Sequence, residues 1–218
     1  MGWMILLVLL TVFVGLPIVI YNRLVARKNE YLNAFAQVQV QLKRRYDLIP
    51  NLVEAAKAYL VHESGTLEAV VRARSSAEKS LEAAAASPNT AALASLMQQE
   101  SLLSGALKNL NVVMEAYPEL KAAATVADLT ESLETTENRV GFARQAYNDA
   151  VTDYNVTRQS FPASLLADFF GHKKNAVPLQ FDDTATIQHA PKIRLQQLVL
   201  LCVSLNTNLK LAGEPLGW

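Results

Sequence analysis

The sequence predicts an all-α protein: an N-terminal transmembrane helix, a long antiparallel up-down helical bundle and a C-terminal tail helix. Three observations lead there. An uncharged apolar run extends from Trp3 to Tyr21. Beyond it, apolar residues recur at steps of three and four, which lines one face of a helix. Eight glycines and eight prolines among 218 residues leave few interruptions in a composition led by Ala and Leu, both strong helix formers. The implied organisation is an anchor over 1–22, a bundle over 23–171, and a polar linker with an apolar helix over 172–218.

The nineteen residues Trp3–Tyr21 measure about 28 Å as a helix, close to the hydrocarbon thickness of a bilayer. A cleaved signal peptide would want a basic start, a shorter apolar core and a small-x-small site. This run begins Met1-Gly2 and ends Ile20-Tyr21-Asn22-Arg23, so a retained anchor is expected. Trp3 and Tyr21 stand at its two ends, where aromatic residues favour the headgroup layer. Thr11 and Gly15 are spaced as small residues that let two spans approach, although membrane-helix composition alone also produces such pairs. The basic residues follow the span: Arg23, Arg27 and Lys28, then Lys43, Arg44 and Arg45. That bias places the N-terminus outside and the main domain in the cytoplasm of a single-pass protein.

The first bundle helix uses Tyr31, Phe35, Val38, Leu42, Tyr46 and Ile49, and its pattern resumes after Pro50 through Val53, Ala56 and Leu60. The resumption favours a kink at Pro50 over a break. His62-Glu63-Ser64-Gly65 interrupts next, with Gly65 as the breaker. A second helix follows over about 66–86 and turns at Ser87-Pro88-Asn89-Thr90. A third runs to about Glu115 and ends at Tyr117-Pro118. The fourth and longest extends over about 123–160, through Leu129, Leu133, Val140, Tyr147, Val151 and Tyr154, and Phe161-Pro162 closes it. Tyr147-Asn148 and Tyr154-Asn155 repeat at seven residues on one face. A short amphipathic stretch, 165–170, precedes Gly171. Short links between amphipathic helices favour antiparallel neighbours around one core.

From His172 the chain reads as a polar linker held extended by Pro178 and Pro191. Ile193–Leu211 then forms a helix apolar on all sides about Leu198, Leu201 and Val203. Its apolar centre, 198–203, is too short to span a bilayer and needs a covering surface, expected from the bundle, a neighbouring subunit or the membrane. A homo-oligomer in contact with the lipid bilayer is the expectation.

Several function classes lose support. Net charge is zero, which gives no basic face for nucleic acid. Cys202 is the only cysteine, so an intrachain disulfide is impossible, and an apolar helical setting makes it an inert core residue. Di-iron bundles need Glu-x-x-His pairs, but Tyr59, Phe169 and Thr186 precede His62, His172 and His189 by three. His62-Glu63 lacks the second histidine of a zinc-protease motif, since Thr66 stands there. No phosphate-binding glycine loop or nucleophile elbow occurs. The sequence thus points to no cofactor, metal or catalytic residue.

The oddities are charges at apolar phases. Glu100 falls between Leu96 and Leu103, and Glu137 and Arg144 fall seven residues apart on the fourth helix. Buried charges need partners, so these three are expected to form a buried polar layer, meeting one another or Arg44 or Arg45. A binding or proton-handling pocket is the sharper alternative.

With those residues laid out, the chain resembles the LemA family of bacterial membrane proteins over about 1–171. The resemblance rests on Arg45-Tyr46-Asp47-Leu48-Ile49-Pro50-Asn51-Leu52-Val53, on Tyr59 with His62-Glu63, and on Glu115-Ala116-Tyr117-Pro118-Glu119-Leu120-Lys121. It continues in Thr136-Glu137-Asn138-Arg139-Val140, Ala143-Arg144-Gln145-Ala146-Tyr147-Asn148, Tyr154-Asn155, and Phe161-Pro162 leading to Phe169-Phe170-Gly171. Leu129 departs from the Phe common there. The resemblance implies a short membrane helix and a helical bundle with no agreed enzymatic activity, whose relatives sometimes accompany membrane metalloproteases or envelope-stress functions. The expected function is a non-enzymatic membrane scaffold that self-associates or holds protein partners. The alternative is a module regulating a membrane metalloprotease, and a cryptic enzyme using Glu100, Glu137 and Arg144 is a third, weaker class.

Overall fold

A computed structural model describes residues 1–180, and among them there is no strand. The Ile193–Leu211 helix with Leu198, Leu201, Val203 and Cys202, and Pro191 before it, lie outside the described residues.

Helix α1 runs unbroken over Gly2–Lys57, about 84 Å at the rise of an α-helix. The expected anchor and the expected first bundle helix are therefore one element. Pro17 and Pro50 both lie inside it. Pro50 leaves the carbonyl of Tyr46, four residues earlier, without its usual N–H partner. Arg74 Nε donates to that oxygen at 2.8 Å, which satisfies the helix where the proline cannot.

The break after α1 spans 58–63, and α2 begins at Ser64 and extends to Ala86. Gly65 sits inside its first turn rather than breaking the chain, a correction to the sequence reading. Leu60, fully buried in the core, reverses the chain here by going inward. Asn89 caps α3 (Thr90–Glu115), its side-chain oxygen accepting from Ala92 N at 2.9 Å. Pro118 then opens a short helix not expected from the sequence, α4 (Pro118–Ala122), as proline does at a first helical turn. It carries Leu120 into the core. Helix α5 follows over Ala124–Gln159 and α6 over Ala163–Leu166.

Directions follow from the pairs. Arg27 meets Asp153 at 3.3 Å, Tyr31 packs on Tyr154 and Phe35 on Tyr147 at 5.1 and 5.5 Å between ring centres, and Arg45 reaches Glu137 at 3.9 Å. Numbers rise on α1 as they fall on α5, so the two are antiparallel. Ser80 opposite Ser95 at 3.3 Å makes α2 and α3 a hairpin. This hairpin packs beside the far half of α1, and Val38, Tyr46, Ile49, Val70, Leu96, Leu103 and Leu110 share one core with α5's Val151. Burying each such side chain contributes about 1.5–3 kcal/mol.

The chain after α6 differs from the sequence reading. Gly171, at φ +83°, reverses it in a left-handed turn that a side chain would strain. Residues 172–180 then run back along α5 rather than standing apart, and His172 and Leu179 are buried.

Candidate functional site

The side chains that could carry chemistry gather in two places, and α1 and α5 organise both. The first is a buried ion pair. Glu100 projects from α3 toward α1, where consecutive residues Arg45 and Tyr46 receive it. Arg45 Nη1 lies 3.3 Å from Glu100 Oε2 with the two side chains 5% and 3% exposed. Arg45 Nη2 also donates to Ser104 Oγ at 3.2 Å. The Tyr46 hydroxyl donates to the other carboxylate oxygen of Glu100. Both oxygens of the acid therefore have partners.

The three sequence candidates are placed differently. Glu100 is inside. Glu137 is not: its side chain is 60% exposed, and it touches only the outer edge of the Arg45 guanidinium. Arg144 is half-buried. A three-residue buried layer is thus corrected to a buried pair with Glu137 at its rim. Glu137 stands at the edge of the α1–α5 contact and reaches Arg45 from outside. Of the two arginines considered as partners, Arg45 is buried and Arg44 exposed.

Burial pushes the Glu100 carboxyl above its ordinary range, while the Tyr46 hydrogen bond and the Arg45 charge pull it down. Burial likewise drives the Tyr46 hydroxyl far up, reinforced by the charge of Glu100. The pair joins α1 to α3, and Glu137 adds an outer contact from α5. No group of three or more His, Cys, Asp or Glu able to hold a metal occurs among the described residues.

The second place is a ladder along α5. Asn155 donates to Ala176 O and accepts from Ala176 N, both at 2.9 Å. Asn148 does the same with Leu179, at 2.9 and 2.8 Å. The neighbouring tyrosines complete each rung: Tyr147 donates to Val177 O at 2.8 Å, and the Tyr154 hydroxyl bonds His172 Nδ1 at 3.0 Å. Arg158 holds the entrance through the carbonyls of His172 and Lys173, the side chain of Asn175 and Asp168. Seven residues of helix rise about 10.5 Å, and three residues of extended chain cover about 10 Å. The repeat therefore matches Ala176 and Leu179. Burial raises the Tyr147 hydroxyl to about 12, and burial, with Lys28 and Arg158 nearby, lowers His172. Sequence reasoning saw the Tyr-Asn repeat but weighed His172 only as a metal ligand.

The membrane end is plain. Trp3 and Tyr21 are exposed, and the Thr11 hydroxyl donates to Leu7 O at 2.8 Å. A Cβ added at Gly15 would meet nothing within 4 Å. The apolar stretch of α1 is the one among the described residues long and apolar enough to cross a membrane. At the opposite end a cleft of about 870 Å³ opens between α1 and α2, with Val53, Leu60, Leu67 and Val71 in its walls and Glu54, Lys57, Glu68 and Arg72 on its rim.

Two magnetosome proteins of Paramagnetospirillum magneticum, MamQ 1 and MamQ 2, are each 26% identical to the chain over 183 residues, covering 74% of it and 65% of their own length. Magnetosome protein MamQ of Magnetospirillum gryphiswaldense is 24% identical over 184 residues, covering 76% of the chain and 66% of its own. The chain thus spans a little under two thirds of these relatives. The LemA family profile matches residues 34–195, from the middle of α1 through the whole bundle and ladder. By that match the chain belongs to the LemA family.

Proposed function

We propose that the chain is a non-enzymatic, membrane-anchored scaffold that self-associates or holds protein partners at the bacterial inner membrane. The observation that carries this reading is the continuity of α1, which joins an apolar span to a packed bundle without a joint. A domain mounted this way stays on one side of the membrane at a fixed height, so weak lateral contacts gain from high effective concentration. Exposed large apolar residues on the bundle, among them Leu102 and Val112, supply surface for such contacts. The relatives are named for the magnetosome, a cellular structure, and not for a reaction, which supports the same reading. The polar pair serves this role as a structural fastener, and Leu198, Leu201 and Val203 of the tail are assigned to assembly.

The test is the native mass of the full chain extracted in mild detergent, beside a chain lacking 193–218. The expected species contains two or more copies, or a stoichiometric second protein, and shrinks on truncation. A full-length monomer without partner would sink the scaffold reading.

Orientation is a separate expectation, resting on Arg23, Arg27 and Lys28 just after the span. Protease added to spheroplasts with an intact inner membrane should leave the bundle whole. Its digestion there would reverse the orientation.

A further inference from the structure

We propose that the turn from α5 into α6 is a second membrane contact, with Phe161, Leu165 and Phe169 seated in the headgroup layer of the bilayer that α1 crosses. The proposal rests on the reading of α1 as a span.

The geometry brings this turn to one level. Because α5 returns antiparallel to α1, it delivers the chain to the last turn of the apolar run. There Ile20 and Leu24 bury Ala163 and Ala167 in a small core separate from that of the bundle. Tyr21, the aromatic residue at the end of the run, meets Phe170 edge-on at 5.3 Å between ring centres. The turn is thus packed against the segment expected at the lipid–water boundary.

Its outward side is apolar where the bundle gives it nothing to cover. Phe161, Leu165 and Phe169 are 80%, 73% and 86% exposed. Three large apolar residues grouped at a turn mark a contact surface. Their position continues the lipid-facing surface of the span, which names the occupant.

The charges fit the same occupant. Asp168, the acid in the turn, is taken by Arg158 at 3.0 Å. Arg23, Lys28, Lys173 and Lys174 are exposed around it. A basic collar about an apolar tip suits anionic headgroups. Arg23 also lines a cleft of about 150 Å³ between α1 and the turn, beside Phe161 and Ser160. A second contact beside the span would fix how the bundle is rotated and tilted over the membrane. A helix emerging alone would leave that free.

The test uses the full chain carrying Cys202→Ser, with one new cysteine at a time: Phe13→Cys, Phe142→Cys, Leu165→Cys or Phe169→Cys. Each is spin-labelled and reconstituted in vesicles of equal phosphatidylcholine and phosphatidylglycerol. Collision with dissolved oxygen is compared with collision with a water-soluble nickel chelate. The positions 165 and 169 should favour oxygen severalfold, less strongly than position 13, while position 142 favours nickel. If 165 and 169 match 142 while 13 lies in lipid, the second contact is overturned and the span stands. If 13 also matches 142, the span itself fails and takes the contact with it. Shielding of 165 and 169 from both reagents, with broadening that grows with protein density, would make a second copy the occupant and overturn the proposal.

Discussion

Replacing Glu100 or Arg45 alone with alanine is expected to lower the stability of the folded chain by about 3–5 kcal/mol, because each leaves the other buried without its ion-pair partner. Glu137→Ala should cost about 0–1 kcal/mol, since its side chain is 60% exposed and touches Arg45 only at 3.9 Å. The contrast follows from position, as all three changes remove a charge from the same cluster. The double replacement Arg45→Met with Glu100→Leu should recover most of the loss, since apolar residues of similar size remove the desolvation cost of both charges. Melting of the full-length variants in one detergent measures this. Equal melting of Glu100→Ala and Glu137→Ala would refute the buried pair.

The same acid carries a pH dependence. Burial raises the Glu100 carboxyl in the folded chain, so the folded state keeps that proton to a higher pH than the unfolded state does. The stability linked to it is fully present below the unfolded value of about 4.3. It is lost as pH rises through the raised folded value. Relative to Glu100→Gln, the parent should therefore weaken as pH climbs across that window and level off above it. A difference that stays flat with pH would show that the Arg45 charge and the Tyr46 hydrogen bond cancel the burial.

Asn155→Ala and Asn148→Ala should each cost about 2 kcal/mol, two hydrogen bonds at roughly 1 kcal/mol apiece. Each asparagine amide offers one donor and one acceptor to one strap residue, as a neighbouring strand would. Alanine leaves the N–H and carbonyl of Ala176 or Leu179 without those partners. Tyr147 and Tyr154 hold the same segment, so the double change should cost less than the sum once the strap detaches. The local readout is trypsin cleavage after Lys173 and Lys174, mapped by mass. Faster nicking in Asn155→Ala than in the parent is expected. Unchanged nicking together with unchanged melting would remove the ladder from the account of the fold.

The sequence by itself determined the long helices, though not the short α4. Their apolar period, the turn at 87–90 and the proline positions are local properties, and local chemistry is visible in a linear chain. The apolar run of α1 was legible for the same reason, and so was the clash between Glu100 and its apolar phase. Distance decided the rest. Whether Gly65 or Leu60 ends a helix depends on what lies beneath, and Leu60 is drawn into a core that exists only once α1 and α2 meet. Glu137 and Glu100 look alike in sequence. One is exposed and the other buried because Glu137 stands at the edge of the α1–α5 contact, while α3 points Glu100 between Arg45 and Tyr46. Pro50 shows in the sequence which carbonyl loses its partner, but not that Arg74, on another helix, donates to it. The segment from His172 reads as a linker because its residues are polar. Its partners are asparagines and tyrosines on a helix it meets again only by turning back, and no pattern along the chain encodes that return.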